Sequence, residues 1–204
     1  MFKEIIMAIT SKMVKELRDK TQAGMMDCKK ALEKTDGDME QAVDLLRQKG
    51  LSVAAKRADR ATSEGVVETY IHAGGKLGVL VEIGCETDFV ARNQDFTTFA
   101  RDVAMHIAAT NPVAVVRENI PEEILNRERE IYIQQALDSG KPQAIAEKMV
   151  KGKLDKFVAE VALLEQKFVK NPDLTIQDLL SDIIAKMGEN ISIKRFARFQ
   201  VGGN

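Results

Sequence analysis

Residues 82–92 constrain the fold of this chain most, because a buried-strand pattern there runs directly into an acidic residue and a large aromatic ring. Apolar side chains precede them at a period of two, which predicts a strand with one face on a core; they are Leu77, Val79, Val81, Ile83 and Cys85. The alternation stops at Thr87, and Thr87 or Asp88 can cap a short helix. We therefore expect Phe89 at the rim of the sheet, in the first turn of that helix.

A rim position for Phe89 has two interpretations. In the first, the ring folds back onto the edge of the core and Asp88 only caps a helix. In the second, residues 87–90 form a tip that inserts into a partner, where burial of the ring would contribute about 1.5–3 kcal/mol. Val90 would then support the tip by packing, and Arg92 by fixing the turn.

Residues 10–50 carry three short amphipathic patterns, which predict a three-helix bundle. The apolar positions are Met13, Val14 and Leu17, then Cys28, Ala31 and Leu32, then Met39, Ala42, Val43 and Leu46. Asp38 and Gln41 are spaced as a capping box, and Gly50 is expected to end the third helix. Met25 and Met26 are adjacent, so at least one should be exposed as an adaptable contact; a gap-filling core position is the alternative.

Residues 51–63 are rich in alanine and charge, which predicts a helical linker. We expect residues 64–204 to form one α+β core domain with a small three-stranded antiparallel sheet packed with helices. The first strand is marked by Val67, Thr69 and Ile71, and the third, near the end of the chain, by Ile191, Ile193, Phe199 and Val201. Phe196 is out of phase, which predicts a bulge or twist. Residues 1–9 would precede the bundle as an extension.

Helices are predicted between the second and third strands. A buried stripe at helical spacing marks the first of them, formed by Phe96, Phe99, Ala100, Val103, Ala104 and Ile107. His106 is expected at the edge of that stripe, near Phe99. Further helices are predicted after Pro121, after Pro142, over residues 157–164 and over residues 176–187, with Gly188 as the last stop.

Charge and cysteine content favour a protein partner in a reducing compartment. The 204 residues include 30 Lys and Arg against 31 Asp and Glu, which argues against binding to nucleic acid. No apolar run approaches the length of a membrane span, and the N-terminus does not resemble a signal peptide. Cys28 and Cys85 are both expected to be buried free thiols. These features predict a cytoplasmic protein without a membrane partner.

No set of residues predicts catalysis, a metal or a cofactor. Lys76 is followed by Leu77, so a nucleotide-binding phosphate loop is absent from the pattern, and the two histidines are not spaced as a metal pair. A thiol hydrolase using Cys85 and His106 is a weaker alternative, because no third orienting group is evident. Residues 194–199 alternate basic and aromatic side chains; a strand with one wet face explains them better than an RNA-stacking surface.

Four separated segments resemble one known family, bacterial elongation factor Ts, in its short form with a single core domain. They are residues 17–32, residues 82–92, residues 104–109 (AMHIAA) and residues 140–149 (GKPQAIAEKM). The similarity extends from about Met13 to Phe199. The resemblance implies a ubiquitin-associated-like (UBA-like) N-terminal bundle and a guanine nucleotide exchange factor, which breaks no covalent bond, for elongation factor Tu.

The resemblance also implies a mechanism and a set of contacts. The factor would bind the GDP complex of elongation factor Tu and insert its tip between two helices of the G domain, which disturbs the Mg²⁺ and phosphate site. Phe89 would be the wedge and Asp88 its polar anchor, within a tip of Thr87, Asp88, Phe89 and Val90. Arg18, Met25 and Met26 would contact the G domain near its nucleotide, and His106 would touch a partner helix.

Two further questions stay open from the sequence. The open sheet makes a homodimer through the core sheets plausible, although the chain's own helices could also cover that sheet. A non-catalytic adaptor that uses the UBA-like bundle is the alternative function. Its affinity for a protein partner would not depend on GDP, whereas that of an exchange factor must fall when GDP binds.

Overall fold

The computed structural model describes residues 9–21, 23–140 and 142–203 and confirms the α+β class. The helices are α1 (Ser11–Thr21), α2 (Met25–Lys34), α3 (Met39–Arg57), α4 (Asp88–Ala91), α5 (Gln94–Thr110), α6 (Glu122–Asp138), α7 (Gln143–Val161) and α8 (Ile176–Met187). The strands are β1 (Glu64–Ile71), β2 (Leu77–Cys85), β3 (Lys167–Phe168), β4 (Asn171–Thr175) and β5 (Ile191–Gln200). Residues 1–8 of the expected N-terminal extension lie outside the described residues.

The main sheet is antiparallel and three-stranded, as predicted, and its strand order is β1-β2-β5. The alternating side chains of β2 are buried; Val79, Val81, Ile83 and Cys85 all have 2% or less of their surface exposed. In β5 the buried phase holds at Ile191 and Ile193 but not at Phe199, which is exposed, while Phe196 is partly buried. The β3–β4 pair forms a second small sheet that the sequence analysis missed.

The N-terminal bundle forms as predicted, but its third helix is longer. Its core consists of Val14, Leu17, Cys28, Ala31, Leu32, Ala42 and Leu46. Asp38 caps α3, because its carboxylate accepts from the Gln41 amide at 2.9 Å. The helix end predicted at Gly50 is wrong, since α3 continues to Arg57. A mid-helix glycine costs only about 1 kcal/mol, which tertiary contacts outweigh; the Arg57 guanidinium donates to the Ile184 carbonyl at 3.1 Å.

The later helices agree with the sequence in place, with one correction. The two helices predicted after Pro142 and over residues 157–164 are one continuous helix, α7. The last helix, α8, ends at Met187 and is followed by Gly188 at φ 77°, a left-handed conformation that suits a helix stop. No helix among the described residues combines the length and apolar composition needed to cross a membrane.

The chain divides into two compact units that do not follow its linear order. The first unit contains the described part of Met1–Val66 together with Ile83–Phe99 and Asp178–Ser192. The second contains Val67–Glu82, Ala100–Gln177 and the described part of Ile193–Asn204. The expected division at residues 9, 50 and 63 stays a prediction. The bundle and the tip thus belong to the same unit.

Candidate functional site

The tip is a single helical turn at the end of the central strand. Thr87 is extended, at φ −129° and ψ 156°, and occupies the N-cap position of α4. Backbone bonds close the turn, with the Ala91 amide 3.2 Å from the Thr87 carbonyl and the Arg92 amide 3.1 Å from the Asp88 carbonyl. The Thr87 side chain makes no capping hydrogen bond to α4.

The tip presents an aromatic ring to solvent from a buried base. Phe89 is 84% exposed, the largest exposed fraction among the large apolar side chains of the described residues. Its neighbours Val90 and Ala91 are each only 9% exposed. The interpretation in which Phe89 folds back onto the core is therefore wrong. The burial of Val90 agrees with the packing role predicted for it, which stays a prediction.

Asp88 and Arg92 form an ion pair on the outer side of the turn. The Arg92 Nη2 atom lies 3.0 Å from the Asp88 Oδ2 atom; the Arg92 side chain is largely solvent-exposed and that of Asp88 about half exposed. Exposed pairs of this kind contribute about 0–1 kcal/mol. The predicted role of Arg92 in fixing the turn is consistent with this contact, and Asp88 can exchange its partner at little cost.

The base of the tip is held by a carboxylate from a distant part of the chain. The Oε2 atom of Glu189 accepts from the amide of Glu86 at 3.1 Å and from the amide of Thr87 at 3.0 Å. Its Oε1 atom accepts from the Thr87 hydroxyl at 2.6 Å. The Thr87 hydroxyl is thus directed to Glu189, which explains why it does not cap α4.

A second set of bonds runs in the opposite direction. The Asn190 amide donates to the Glu86 carboxylate at 2.6 Å, and Arg60 Nη1 lies 3.4 Å from the same oxygen. The Asn190 side-chain amide donates to the carbonyls of Ala58 and Arg60 at 3.2 and 2.7 Å. We call Glu86, Thr87, Glu189 and Asn190 the clasp. It joins the end of β2, the turn before β5 and the chain segment that follows α3.

Cys85 closes the strand beneath the tip and is not placed as a nucleophile. Its side chain is fully buried, and its Sγ donates to the Thr87 carbonyl at 3.1 Å. Burial, and to a smaller extent the nearby Glu189 carboxylate, raise the pKa of the Cys85 thiol. A raised pKa leaves little thiolate for attack, which argues against the thiol hydrolase alternative.

The bundle presents the other predicted contact residues at its surface. Met25 and Met26 begin α2 and are 56% and 61% exposed, so the gap-filling core interpretation is wrong for both. Arg18, near the end of α1, is also exposed. Amides of the first turn of α2 donate to the Gly24 carbonyl, which holds this helix start in place.

His106 does not lie at the edge of the helical stripe, and this expectation is corrected. Its ring is fully buried, because Gln166 and the backbone of β3–β4 cover it. The Val169 amide donates to Nδ1 at 3.4 Å, so Nε2 carries the proton and donates to Gln166 Oε1 at 2.9 Å. Burial lowers the pKa of His106 and outweighs the opposite effect of Gln166. His106 belongs to the second unit and cannot touch a partner in this conformation.

Sequence reasoning missed Glu189 and Asn190. The local sequence offers one signal, the helix stop at Gly188 directly before them, but their bonding partners lie about 100 to 130 positions earlier. Such pairs carry no periodicity that a single sequence could reveal.

The chain is similar over nearly its whole length to proteins named Elongation factor Ts. A family model described as Elongation factor TS matches residues 1–203. The chain is 75% identical to Elongation factor Ts of Desulfotalea psychrophila over 196 residues, which cover 96% of this chain and 100% of that relative. It is 62% identical to Elongation factor Ts of Carboxydothermus hydrogenoformans over 194 residues, covering 95% and 89% of the two chains. With Elongation factor Ts of Syntrophobacter fumaroxidans the identity is 60%, covering 95% and 97%.

The structure has an exposed aromatic ring on a hydrogen-bonded turn and an exposed methionine pair in the same unit. The family similarity extends over residues 1–203. The chain belongs to the elongation factor Ts family of translation elongation factors.

Proposed function

We propose that this chain is a guanine nucleotide exchange factor that binds elongation factor Tu and promotes release of GDP. One observation carries the proposal most directly: Phe89 is 84% exposed, yet it stands on a turn whose neighbouring residues are buried or hydrogen-bonded. An apolar ring in water gains free energy when a partner buries it, by about 1.5–3 kcal/mol. Because the turn beneath Phe89 is held by hydrogen bonds, the free energy gained by burying the ring displaces atoms of the partner rather than rearranging the tip.

The mechanism is thermodynamic coupling between two ligands of one partner. Phe89 enters the G domain of elongation factor Tu between two helices, with Asp88 as a polar anchor, and the displacement disturbs the Mg²⁺ and phosphate site. The factor therefore binds best when that site is empty. By reciprocity, GDP weakens the binding of the factor as much as the factor weakens the binding of GDP. No covalent bond changes, so the chain is not an enzyme of covalent chemistry.

The bundle supplies a second contact to the same G domain. Arg18, Met25 and Met26 lie near the nucleotide in this proposal, and their exposure and shared unit with the tip support it. Methionine side chains adapt to irregular surfaces. His106, being buried, would act only by stabilising its own unit, which replaces the direct contact inferred from the resemblance.

We also propose a homodimer formed through the main sheet. Ile71, Leu80, Phe199 and Val201 line one open groove on this sheet and are all more than 40% exposed. Contiguous exposed apolar residues of this kind mark interaction sites, and a face that pairs with its own copy needs no second partner. Light scattering should give the mass of two chains, and Leu80→Glu should give the mass of one.

The decisive experiment is the release of a fluorescent GDP analogue from elongation factor Tu, followed by stopped flow. The wild-type chain should accelerate release strongly, and Phe89→Ala should reduce the acceleration about 10- to 150-fold, the equivalent of 1.5–3 kcal/mol. Leu137→Ala is the matched control, because Leu137 is also exposed, at 66%, but lies in α6 and the second unit. It should behave as the wild type.

Two results would contradict the proposal. If folded wild-type chain does not accelerate release, the chain is not an exchange factor for this partner. If it binds elongation factor Tu with an affinity that added GDP does not change, the adaptor alternative is correct instead.

A cytoplasmic location follows from the proposed partner.

A further inference from the structure

The tip has few stabilising bonds of its own. The helix α4 is four residues long, and its backbone bonds are those of a single turn. A turn of this length does not persist in water without outside support. Val90 and Ala91 anchor its inner side. The strand end that leads into it is held by Glu189, through both carboxylate oxygens.

The two acids of the clasp stabilise each other's backbone. Glu189 accepts from the amides of Glu86 and Thr87, while Glu86 accepts from the amide of Asn190. Charge-assisted bonds to carboxylates are shorter and stronger than neutral ones, and these span 2.6–3.1 Å. Arg60 offsets part of the negative charge of Glu86.

Resting on the exchange function proposed above, we propose that Glu189 is a positioning residue for the tip. Its carboxylate holds the backbone of Glu86 and Thr87 so that the Phe89 ring is already presented for insertion when the partner arrives. Pre-organisation of this kind lowers the ordering cost of binding. Without it, part of the energy gained by burying the ring would go into ordering the turn.

The test is a double-mutant cycle in the GDP-release assay. Glu189→Ala should reduce the acceleration about tenfold in the chain that carries Phe89, because small misplacements of a positioned group are costly. In the Phe89→Ala background the same substitution should reduce it by less than about twofold, since no ring remains to position. Glu130→Ala, an exposed acid of α6, is the control and should change neither background.

Glu189→Gln provides the conservative rescue. A glutamine oxygen can accept from the amides of Glu86 and Thr87, and its NH₂ group can donate to the Thr87 hydroxyl. This variant should stay within about threefold of wild-type acceleration. If Glu189→Ala fails to fold, Thr87→Val replaces it in both backgrounds, because it removes the hydroxyl that donates to Glu189 Oε1. This variant too should lose acceleration only in the chain that carries Phe89, and an equal loss in both backgrounds would overturn the positioning role.

Amide hydrogen exchange on the free chain tests the hydrogen bonds of the clasp in the absence of elongation factor Tu. The amides of Glu86 and Thr87 should exchange faster in Glu189→Ala than in the wild type or in Glu189→Gln, because their acceptor is gone. Equal loss of acceleration with and without Phe89, or no loss in a chain that carries Phe89, would overturn the positioning role while leaving the exchange function intact. An inactive wild-type chain would overturn both.

Discussion

Arg47 in α3 and Asp178 in α8 form a two-point ion pair across 131 positions of sequence, with Nε and Nη2 donating to the two carboxylate oxygens. The Asp178 side chain is buried, whereas that of Arg47 is partly exposed. The pair ties the last helix of the bundle to the helix that leads into Glu189. Glu189 and Asn190 of the clasp follow the end of that helix, α8.

Loss of Arg47 should destabilise the first unit. Arg47→Ala would leave the buried Asp178 carboxylate without its guanidinium donors, and we expect a loss of about 1.5–3 kcal/mol in the free energy of unfolding. Arg47→Lys should lose less, because the charge remains while the two-point geometry does not. Urea unfolding measures both. Arg101→Ala, an exposed arginine of α5, should unfold like the wild type; an equal loss there would mean that the ion pair is not the cause.

Asp182 should make the chain less stable as the pH rises from 4 to 7. Burial and the negative charge of Asp178 raise the pKa of Asp182 to about 6, against an ordinary value of 3.8. The folded state therefore holds this proton more tightly than the unfolded state, and stability is lost as the pH rises through that window.

Asp182→Asn should raise the free energy of unfolding at pH 7 by about 1 kcal/mol at most, because Asp182 keeps exposed surface that screens the repulsion. The gain should vanish near pH 4. Chemical unfolding at both pH values tests this, with Asp173→Asn as an exposed control on β4. A gain that does not depend on pH would show that charge is not its origin.

His106 should make the second unit sensitive to acid. Burial holds the pKa of His106 below 6.5 in the folded chain, so the unfolded chain binds the proton more readily. Stability is therefore complete above pH 6.5 and falls as the pH drops below it.

His106→Gln should reduce this loss between pH 7.5 and 5.5, even though the variant is less stable at pH 7.5. Unfolding curves at the two pH values provide the comparison. His72→Gln, at an exposed histidine of the β1–β2 turn, is the control for replacing a histidine outside the buried site. A wild-type stability that does not change across this range would rule out a buried neutral imidazole.

Gly65 is required by the close approach of β1 to β2. A Cβ atom at Gly65 would lie 2.2 Å from the Ile83 carbonyl oxygen, and the residue has φ 149°. We expect Gly65→Ala to cost about 2–5 kcal/mol, from overpacking and backbone strain together. Gly74→Ala is the matched control, because Gly74 also has positive φ, 90°, but no atom within 4 Å of the added carbon. Thermal unfolding should separate the two, and equal losses would show that crowding at Gly65 is unimportant.

Much of the fold could be predicted because it depends on residues that are close to one another in the sequence. The alternation in β2, the Asp38 cap and the stop at Gly188 each depend on residues within a few positions of one another. Helix α8 has the predicted bounds for that reason. The rim position of Phe89 could also be predicted, because the strand pattern stops at Thr87 and a short helix follows. Whether the ring folds back onto the core or faces solvent was left open by the sequence.

The errors share a different cause. Gly50 resembled a helix end, but α3 continues because Arg47 and Arg57 bind α8, far away in sequence. His106 resembled a residue at the edge of a stripe, but Gln166 and Val169 enclose it. In both cases contacts over 60 to 130 positions outweighed a local preference.

The sequence by itself determined the class of fold, the family and the rim position of Phe89, because periodicity, capping and motifs are properties of neighbouring residues. Only the tertiary structure decided that the ring faces solvent and how the turn that carries it is held. Glu189 can hold Thr87 only when the turn after α8 returns to the end of β2. A hydrogen bond requires its two groups to lie within about 3 Å, and chain folding alone sets that distance for residues so far apart in sequence.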